Sequence, residues 1–169
     1  AVTKDGKLWS WGLAQQYDGD AGTIARSGSN TSPGKVTNGS NEITNVKRWS
    51  IDCKINENVL ACTSSSVLFL LQNGKLFGFG RNRSGPLGIG NTNNILYPIE
   101  VNLSSVTPTI TSIQSIYGIA FSNSYRGTFG IVSSDNNLYF SGLNYYPDGT
   151  DNKTVFTYAL NNIKSISMG

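Results

Sequence analysis

The fold of this chain follows from one stretch, Gln72-Asn73-Gly74-Lys75-Leu76-Phe77-Gly78-Phe79-Gly80, whose pattern recurs twice. An earlier copy reads Lys4-Asp5-Gly6-Lys7-Leu8-Trp9-Ser10-Trp11-Gly12, and a weaker later copy reads Asp135-Asn136-Asn137-Leu138-Tyr139-Phe140-Ser141-Gly142. Each copy places turn-forming residues before large apolar ones. Asp-Gly, Asn-Gly and Asn-Asn tolerate positive φ, so each copy predicts a β-hairpin with a type I′ turn, in which both central residues have positive φ.

The segments before two of these turns are apolar throughout. Val67-Leu68-Phe69-Leu70-Leu71 and Phe129-Gly130-Ile131-Val132 predict strands buried on both faces. The period of the repeat is long, with the final glycines of the three copies 68 and 62 residues apart. Several strand signals in each unit and no convincing helical stretch favour four-stranded propeller blades.

A second element is shared by the three units, because an apolar-x-polar-apolar segment follows each hairpin. These segments are Ile43–Val46, Ile110–Ile113 and Ile163–Ile166. The expected fold class is therefore all-β, with about three four-stranded blades of a β-propeller in one partial domain over residues 1–169. The approximate units are 1–50, 51–118 and 119–169, and an irregular β-sandwich with three similar hairpins is the alternative.

The hairpin of the second unit continues into a glycine-rich loop, Arg81-Asn82-Arg83-Ser84-Gly85-Pro86-Leu87-Gly88-Ile89-Gly90, and then Pro98-Ile99-Glu100-Val101. This unit resembles a repeat of the regulator of chromosome condensation family, which pairs a D-G-x-[VL]-[YFW]-x-[WF]-G hairpin with N-x-x-G-x-L-G-x-G and then P-x-x-V. The residues in register are Asn82, Gly85, Leu87, Gly88 and Gly90. The glycines suit a tight loop that folds back over the blade, with Leu87 as its apolar plug.

The resemblance is uneven along the chain. The first unit keeps the hairpin, but its loop from Leu13 to Gly22 lacks the glycine pattern, and the third unit diverges at residues 145–149. Since propellers have four to eight blades, about three blades do not close a ring. We therefore expect a segment of a larger ring: part of a longer propeller, or one chain of a propeller assembled from several pieces.

Composition excludes several classes of function. The 13 basic and 10 acidic residues form no basic block, which gives no electrostatic signal for nucleic-acid binding. The chain has no histidine and two cysteines, so it cannot supply a histidine-containing triad or a four-thiolate zinc site. No apolar run approaches the length of about 20 residues that a membrane-spanning helix needs. We expect no catalytic residues, no metal, no cofactor and no enzymatic activity.

A few residues are candidates for contact with a partner protein. Arg81 and Arg83 lie on the glycine-rich loop and could bind acidic groups. Trp49, Tyr145 and Tyr146, together with Tyr158, lie outside the repeat register and could form a contact surface.

The two cysteines, Cys53 and Cys62, flank the sequence Asn56-Glu57-Asn58. If Glu57-Asn58 is a two-residue turn, the cysteines lie opposite each other at a separation that admits a disulfide. Two reduced and packed thiols are the alternative.

The function that these features favour is a non-catalytic binding or assembly module, which presents loops and a blade face to protein partners or neighbouring subunits. The family resemblance also implies a narrower role, guanine nucleotide exchange on a small GTPase together with chromatin binding. The second class, ahead of nucleotide exchange, is a particle-surface or secreted binding protein, such as a phage tail or capsid decoration or an adhesin-like protein. The low charge and abundant Ser, Thr, Asn and Gly favour a surface setting and leave an intracellular assembly open.

Overall fold

The computed structural model describes residues 1–11, 32–39, 41–52, 55–56, 59–60, 66–120, 127–143, 152–164 and 166. The cysteines and most of the loop that follows the first hairpin lie outside these residues. Twelve strands are found in the described part of the chain: β1 Trp9–Ser10, β2 Gly34–Lys35, β3 Val46–Asp52, β4 Ile55–Asn56, β5 Val59–Leu60, β6 Ser66–Leu71, β7 Leu76–Gly80, β8 Ile95–Glu100, β9 Ile113–Ala120, β10 Gly127–Ser133, β11 Leu138–Gly142 and β12 Lys153–Leu160.

Two antiparallel four-stranded sheets dominate the fold, in the orders β3-β6-β7-β8 and β9-β10-β11-β12. They contact each other chiefly through their first strands, β3 and β9, so β8 and β12 are the outer edges. The remaining strands form two short pairs, β1-β2 and β4-β5. This arrangement confirms the predicted all-β class and the four-stranded blades of a partial propeller. No helix of the described residues is long and apolar enough to cross a membrane.

The three hairpin turns share one geometry, which differs from the predicted type I′ turn. In the second turn the Gly74 amide donates to the Leu71 carbonyl at 3.0 Å, and the Leu71 amide donates to the Lys75 carbonyl at 2.9 Å. The same two bonds close the turns at residues 3–7 and 133–137. Among the residues of these turns, positive φ occurs only at Gly6, Gly74 and Asn136. The type I′ prediction was therefore wrong: the loops have three residues, and only the third is left-handed, as in a type I turn followed by a G1 bulge.

The first of these turns carries a small polar cluster. The Thr3 hydroxyl donates to the Asp5 carboxylate, and the Lys7 ammonium lies 3.0 Å from the other carboxylate oxygen. The hydrogen bond from Thr3 and then that from Lys7 lower the pKa of Asp5, while Asp5 in turn raises the pKa of Lys7. Asp5 is exposed and Lys7 is half-buried, so solvent weakens the electrostatic contribution of the pair without removing it.

The strands that precede the second and third turns are buried on both faces, as predicted. Every described side chain of β10 is buried, and β6 is buried except at Leu71. The sheet of β6 is sandwiched between two apolar clusters. One cluster lies towards the first unit and contains Leu8, Val36, Ile43, Val46, Val67, Phe69 and Phe79. The other joins the two large sheets and includes Leu68, Leu70, Leu76, Leu87, Val101, Phe129, Ile131, Tyr139 and Phe156.

The first unit preserves the register of the second over its short strands. Trp9 pairs with Lys35 as Phe77 pairs with Glu100. The amide of Val36 donates to the Leu8 carbonyl at 2.8 Å, and the amide of Val101 donates to the Leu76 carbonyl at the same distance. Pro33-Gly34-Lys35-Val36 is therefore the P-x-x-V segment of the first unit, a match that was not predicted from the sequence.

Two of the apolar-x-polar-apolar segments form backbone hydrogen bonds with the hairpin turn of the next unit. The carbonyl of Asn45 accepts a hydrogen bond from the Gln72 amide at 2.8 Å, and the carbonyl of Ser112 accepts one from the Ser134 amide at 3.0 Å. The first two of these segments run into the first strand of the following sheet, since β3 begins at Val46 and β9 at Ile113. A sheet thus takes its first strand from the end of the preceding sequence unit, and the approximate boundaries near residues 50 and 118 stay a prediction.

The two large sheets fill the same cross-strand position in opposite ways. In the second unit Leu68 pairs with Gly78, and a Cβ on Gly78 would lie 2.9 Å from Leu68 Cδ2. In the third unit Gly130 pairs with Phe140, and a Cβ on Gly130 would lie 2.9 Å from Phe140 Cε1. The large side chain comes from the first strand of the hairpin in one sheet and from the second strand in the other.

Candidate functional site

The glycine-rich loop between β7 and β8 is organised around one buried amide side chain. Oδ1 of Asn82 accepts a hydrogen bond from the Leu87 amide at 3.0 Å, and its Nδ2 donates to the Asn91 carbonyl at 2.8 Å. The Asn82 amide donates to Oδ1 of Asn94 at 2.9 Å, and its carbonyl accepts from the Gly85 amide at 2.8 Å. Asn82 is fully buried. Because buried polar groups are stable only when paired, this residue ties the start, the middle and the end of the loop together.

The same loop connects the sheet of the second unit, β3-β6-β7-β8, to the sheet of the third unit, β9-β10-β11-β12. The hydroxyl of Ser84 accepts a hydrogen bond from the Gly127 amide at 3.3 Å, at the start of β10. Further along, the Gly90 amide donates to the Thr154 carbonyl of β12 at 2.7 Å, and Ile89 forms an isolated antiparallel bridge with Val155. The loop therefore reaches both an inner strand and the outer strand of the neighbouring sheet.

Two glycines allow this close approach. A Cβ on Gly85 would lie 2.8 Å from Thr154 Cα, and a Cβ on Gly88 would lie 2.5 Å from the Phe156 ring. Both glycines also have positive φ, +79° and +67°. Leu87, between them, is fully buried in the core that joins the sheets, which confirms its predicted role as an apolar plug. The loop acts as a connector between sheets, because the polar groups named above are used within the protein.

The predicted contact residues of the loop differ in exposure. Arg81 is buried, with 6% of its surface exposed, whereas Arg83 is exposed. A guanidinium as buried as that of Arg81 offers little surface to a partner, so Arg83 is the better placed of the two. Contact with a partner stays a prediction for both.

The side chains of five further predicted site residues lie outside the described part of the structure. Trp49 belongs to β3, but its side chain is outside the described part. Tyr145 and Tyr146 lie outside the described residues, and so do Cys53 and Cys62. The contact roles of the three aromatic residues and the Cys53–Cys62 disulfide therefore stay predictions.

The outer strand β8 exposes three large apolar side chains, which we call the β8 patch: Leu96, Tyr97 and Ile99. Leu96 and Tyr97 have 45% and 46% of their surfaces exposed. The exposure of these residues was not predicted from the sequence. The sequence nevertheless contains a signal for this patch. Residues 95–99 form an apolar run without the alternating polar residues that are expected of a strand with one face in solvent.

The outer strand β12 exposes a second apolar set, Val155, Tyr158 and Leu160. Tyr158 was predicted as a contact residue from its position outside the repeat register. Its ring packs edge-to-face on the buried Tyr139 ring, with the ring centroids 5.9 Å apart. The Tyr158 side chain is therefore held in place on its inner side while 37% of its surface stays exposed.

A shallow cleft of about 510 Å³ opens beside the second turn. Its rim carries an ion pair between Lys75 and Glu100, with Nζ and Oε2 2.8 Å apart and both side chains about half exposed. Such a pair contributes little to stability. Within the described ranges, no three His, Cys, Asp or Glu side chains cluster closely enough to hold a metal ion.

Comparison with known proteins identifies the repeat. Residues 73–116, which include the hairpin strand β7, the loop and β8, match the family model of the regulator of chromosome condensation (RCC1) repeat. The match covers the buried Asn82 and the glycines that contact the third sheet.

Two solved structures resemble the fold. Human WBSCR16 superposes with a TM-score of 0.59 at 14% sequence identity, over 93% of this chain and 34% of that one. Prp20p from Saccharomyces cerevisiae, whose binding properties to Gsp1p and histones were described with its structure, superposes with a TM-score of 0.57 at 20% identity, over 95% of this chain and 36% of that one. The chain thus spans about a third of the length of each. It is a partial β-propeller that carries regulator of chromosome condensation repeat sequence, with the family match on residues 73–116.

Proposed function

We propose that this chain is a non-catalytic protein-binding or assembly module, and that the β8 patch contributes to its contact surface. The observation that carries the proposal is the exposure of Leu96, Tyr97 and Ile99 on an outer strand. Large exposed apolar side chains that lie close together mark interaction sites more often than isolated ones do. Tyrosine is also enriched at the energetic centres of protein interfaces.

The position of the patch supports this role. The glycine-rich loop holds the second sheet against the third, so β8 is displayed on a rigid support rather than on a mobile segment. Tyr97 and Ile99 are both exposed, on either side of the buried Pro98. A partner that contacts them meets a surface that is already ordered.

The test compares the wild-type chain with two variants as baits for partner capture. Tyr97→Lys places a charge in the patch, and Thr92→Lys adds the same charge at an exposed position before β8. Partners that use the patch should be recovered about tenfold less with Tyr97→Lys, because hot-spot residues contribute about 2 kcal/mol or more. They should be recovered normally with Thr92→Lys. Equal recovery with all three baits, at equal melting temperature, would overturn the proposal.

A second candidate is guanine nucleotide exchange on a small GTPase. It is favoured by the structural similarity to Prp20p, a protein with described binding to Gsp1p and histones. The test is release of a fluorescent guanine nucleotide from a purified small GTPase with and without the chain. Accelerated release would support this role, whereas an unchanged release rate over a wide range of concentrations of the chain would exclude this role for the chain.

A further inference from the structure

The outer strands of the two large sheets differ in how well their edges are protected. Proteins commonly guard a sheet edge with proline or charge, because unpaired backbone groups there can pair with another chain. β8 contains Pro98 and ends in the ion-paired Glu100. In β12, the seven residues 154–160, Thr-Val-Phe-Thr-Tyr-Ala-Leu, contain neither a proline nor a charged residue.

The first half of the β12 edge already receives an extended segment. Ile89 and Gly90 lie along it, with the Ile89–Val155 bridge and the hydrogen bond from the Gly90 amide to Thr154. The second half, from Thr157 to Leu160, continues the same edge and exposes Tyr158 and Leu160, the latter over 51% of its surface. This edge is therefore able to accept backbone pairing, and part of it is open in the described structure.

We propose that the β12 edge from Thr157 to Leu160 is a strand-addition site for an extended segment of a partner protein. The segment would be uncharged, with apolar side chains at two neighbouring positions, one on each face of the sheet. Tyr158 pairs with Tyr139 and Leu160 pairs with Leu138, and these two partners are adjacent in β11, so Tyr158 and Leu160 lie on opposite faces. Main-chain hydrogen bonds would supply affinity, and the two side chains would supply selectivity. This inference rests on the proposed protein-binding function and names a second surface for it.

The geometry favours a slender segment over a second copy of this chain. Four residues of strand span only about 13 Å. A ladder of that length between two copies would give little stability by itself. The 89–90 segment also flanks the site, so two copies paired along β12 would bring two such loops to the ends of one short ladder.

The β12 strand has one irregularity within the site. Tyr139 pairs with Tyr158 and Leu138 pairs with Leu160, which leaves Ala159 as an extra residue on the outer strand. Such a bulge bends the edge locally. The added segment should therefore be short and end near Ala159, which sets its length at about four to five residues.

The experiment uses a phage-displayed library of random peptides, selected on the wild-type chain, and measures binding of the enriched peptides by fluorescence anisotropy. Leu160→Lys and, separately, Tyr158→Lys place a charge at the proposed edge. Thr92→Lys is the matched control, because it adds the same charge at an exposed position outside both β12 and the β8 patch. We expect a loss of affinity of about tenfold or more for each β12 variant and none for Thr92→Lys. Leu96→Lys, within the β8 patch, is a separate variant that distinguishes the two surfaces.

A second measurement tests the backbone pairing without changing the protein. Peptides with N-methyl groups at two alternate residues cannot donate the ladder hydrogen bonds and should bind about tenfold more weakly. Equal binding of the methylated peptides would overturn strand addition, and so would a failure to enrich any peptide. Peptides that lose binding with Leu96→Lys but keep it with both β12 variants would overturn the site and leave the proposed function intact.

Light scattering of the wild-type chain tests whether a second copy of the chain occupies this edge instead. Self-association that Leu160→Lys abolishes would make a second copy the occupant of this edge and would also overturn the proposal. Failure of the proposed function gives a different result: in the capture experiment the wild-type chain, Tyr97→Lys and Thr92→Lys then recover partners equally, or the wild-type chain recovers none.

Discussion

Replacement of Asn82 by alanine tests whether one buried amide holds the glycine-rich loop together. The substitution removes the acceptor for the Leu87 amide and the donor to the Asn91 carbonyl. Leu87 is fully buried, so water cannot replace the lost partner of its amide. Asn91 is exposed, so its carbonyl can be hydrated once the bond is lost.

These two losses differ in size. A buried amide without a partner costs about 1–3 kcal/mol, and a hydrogen bond whose acceptor becomes hydrated costs about 0.5–1.5 kcal/mol. Asn82→Ala should therefore lower the free energy of unfolding by about 2–4 kcal/mol. With a urea m-value of about 2 kcal/mol/M, the unfolding midpoint should fall by about 1–2 M at unchanged m.

The assay is urea unfolding followed by circular dichroism and by tryptophan fluorescence, whose transitions should coincide. Asn102→Ala is the matched control. Asn102 is exposed, and its side chain accepts a single hydrogen bond, from the Ser104 amide at 2.9 Å. This control should cost no more than about 1 kcal/mol. Equal midpoint shifts for the two variants would refute the view that Asn82 is the centre of the loop.

Two further predictions concern the glycine-rich loop and the first turn. Gly88→Ala should lower the free energy of unfolding by about 2–4 kcal/mol, because positive φ and contact with the Phe156 ring both oppose a Cβ there. Gly90→Ala, at similar φ but with its nearest contact at 4.0 Å, should cost only about 1–2 kcal/mol, and equal losses in urea unfolding would contradict the steric argument. Asp5→Asn should make the chain less stable than wild type near pH 7 but not near pH 2, because a lowered folded-state pKa stabilises above the unfolded value of 3.8 and is lost as the carboxylate is protonated. A difference in urea midpoint that is the same at both pH values would exclude this role of the carboxylate.

The strands of this fold could be predicted from local patterns. The wholly apolar segments beginning at Val67 and Phe129 became the doubly buried strands β6 and β10, because only burial on both faces suits such a run. The turn type could not be predicted from the Asn-Gly pair alone. Whether Asn73 and Gly74 form the centre of a two-residue turn or the end of a three-residue loop depends on strand register, which is decided by packing along the whole hairpin.

The candidate site was predicted only in part. The loop motif around Asn82 and Leu87 was identified because its glycine spacing is distinctive. Burial of Arg81 and exposure of Leu96 were not predicted, since both depend on which strand lies at the sheet edge. Pro33 to Val36 was missed because a long loop of different sequence separates this segment from its hairpin, so spacing gave no signal.

The opposite packing of Leu68 with Gly78 and of Gly130 with Phe140 limits how the repeats can change. A sheet cannot adopt the other solution in one step, because a second large residue would collide with the first and a second glycine would leave a void. The two positions must therefore change together, because a substitution at one requires the complementary substitution at the other. Consensus design of such blades that chooses each residue independently would combine the two solutions and produce a sheet with both positions large or both empty.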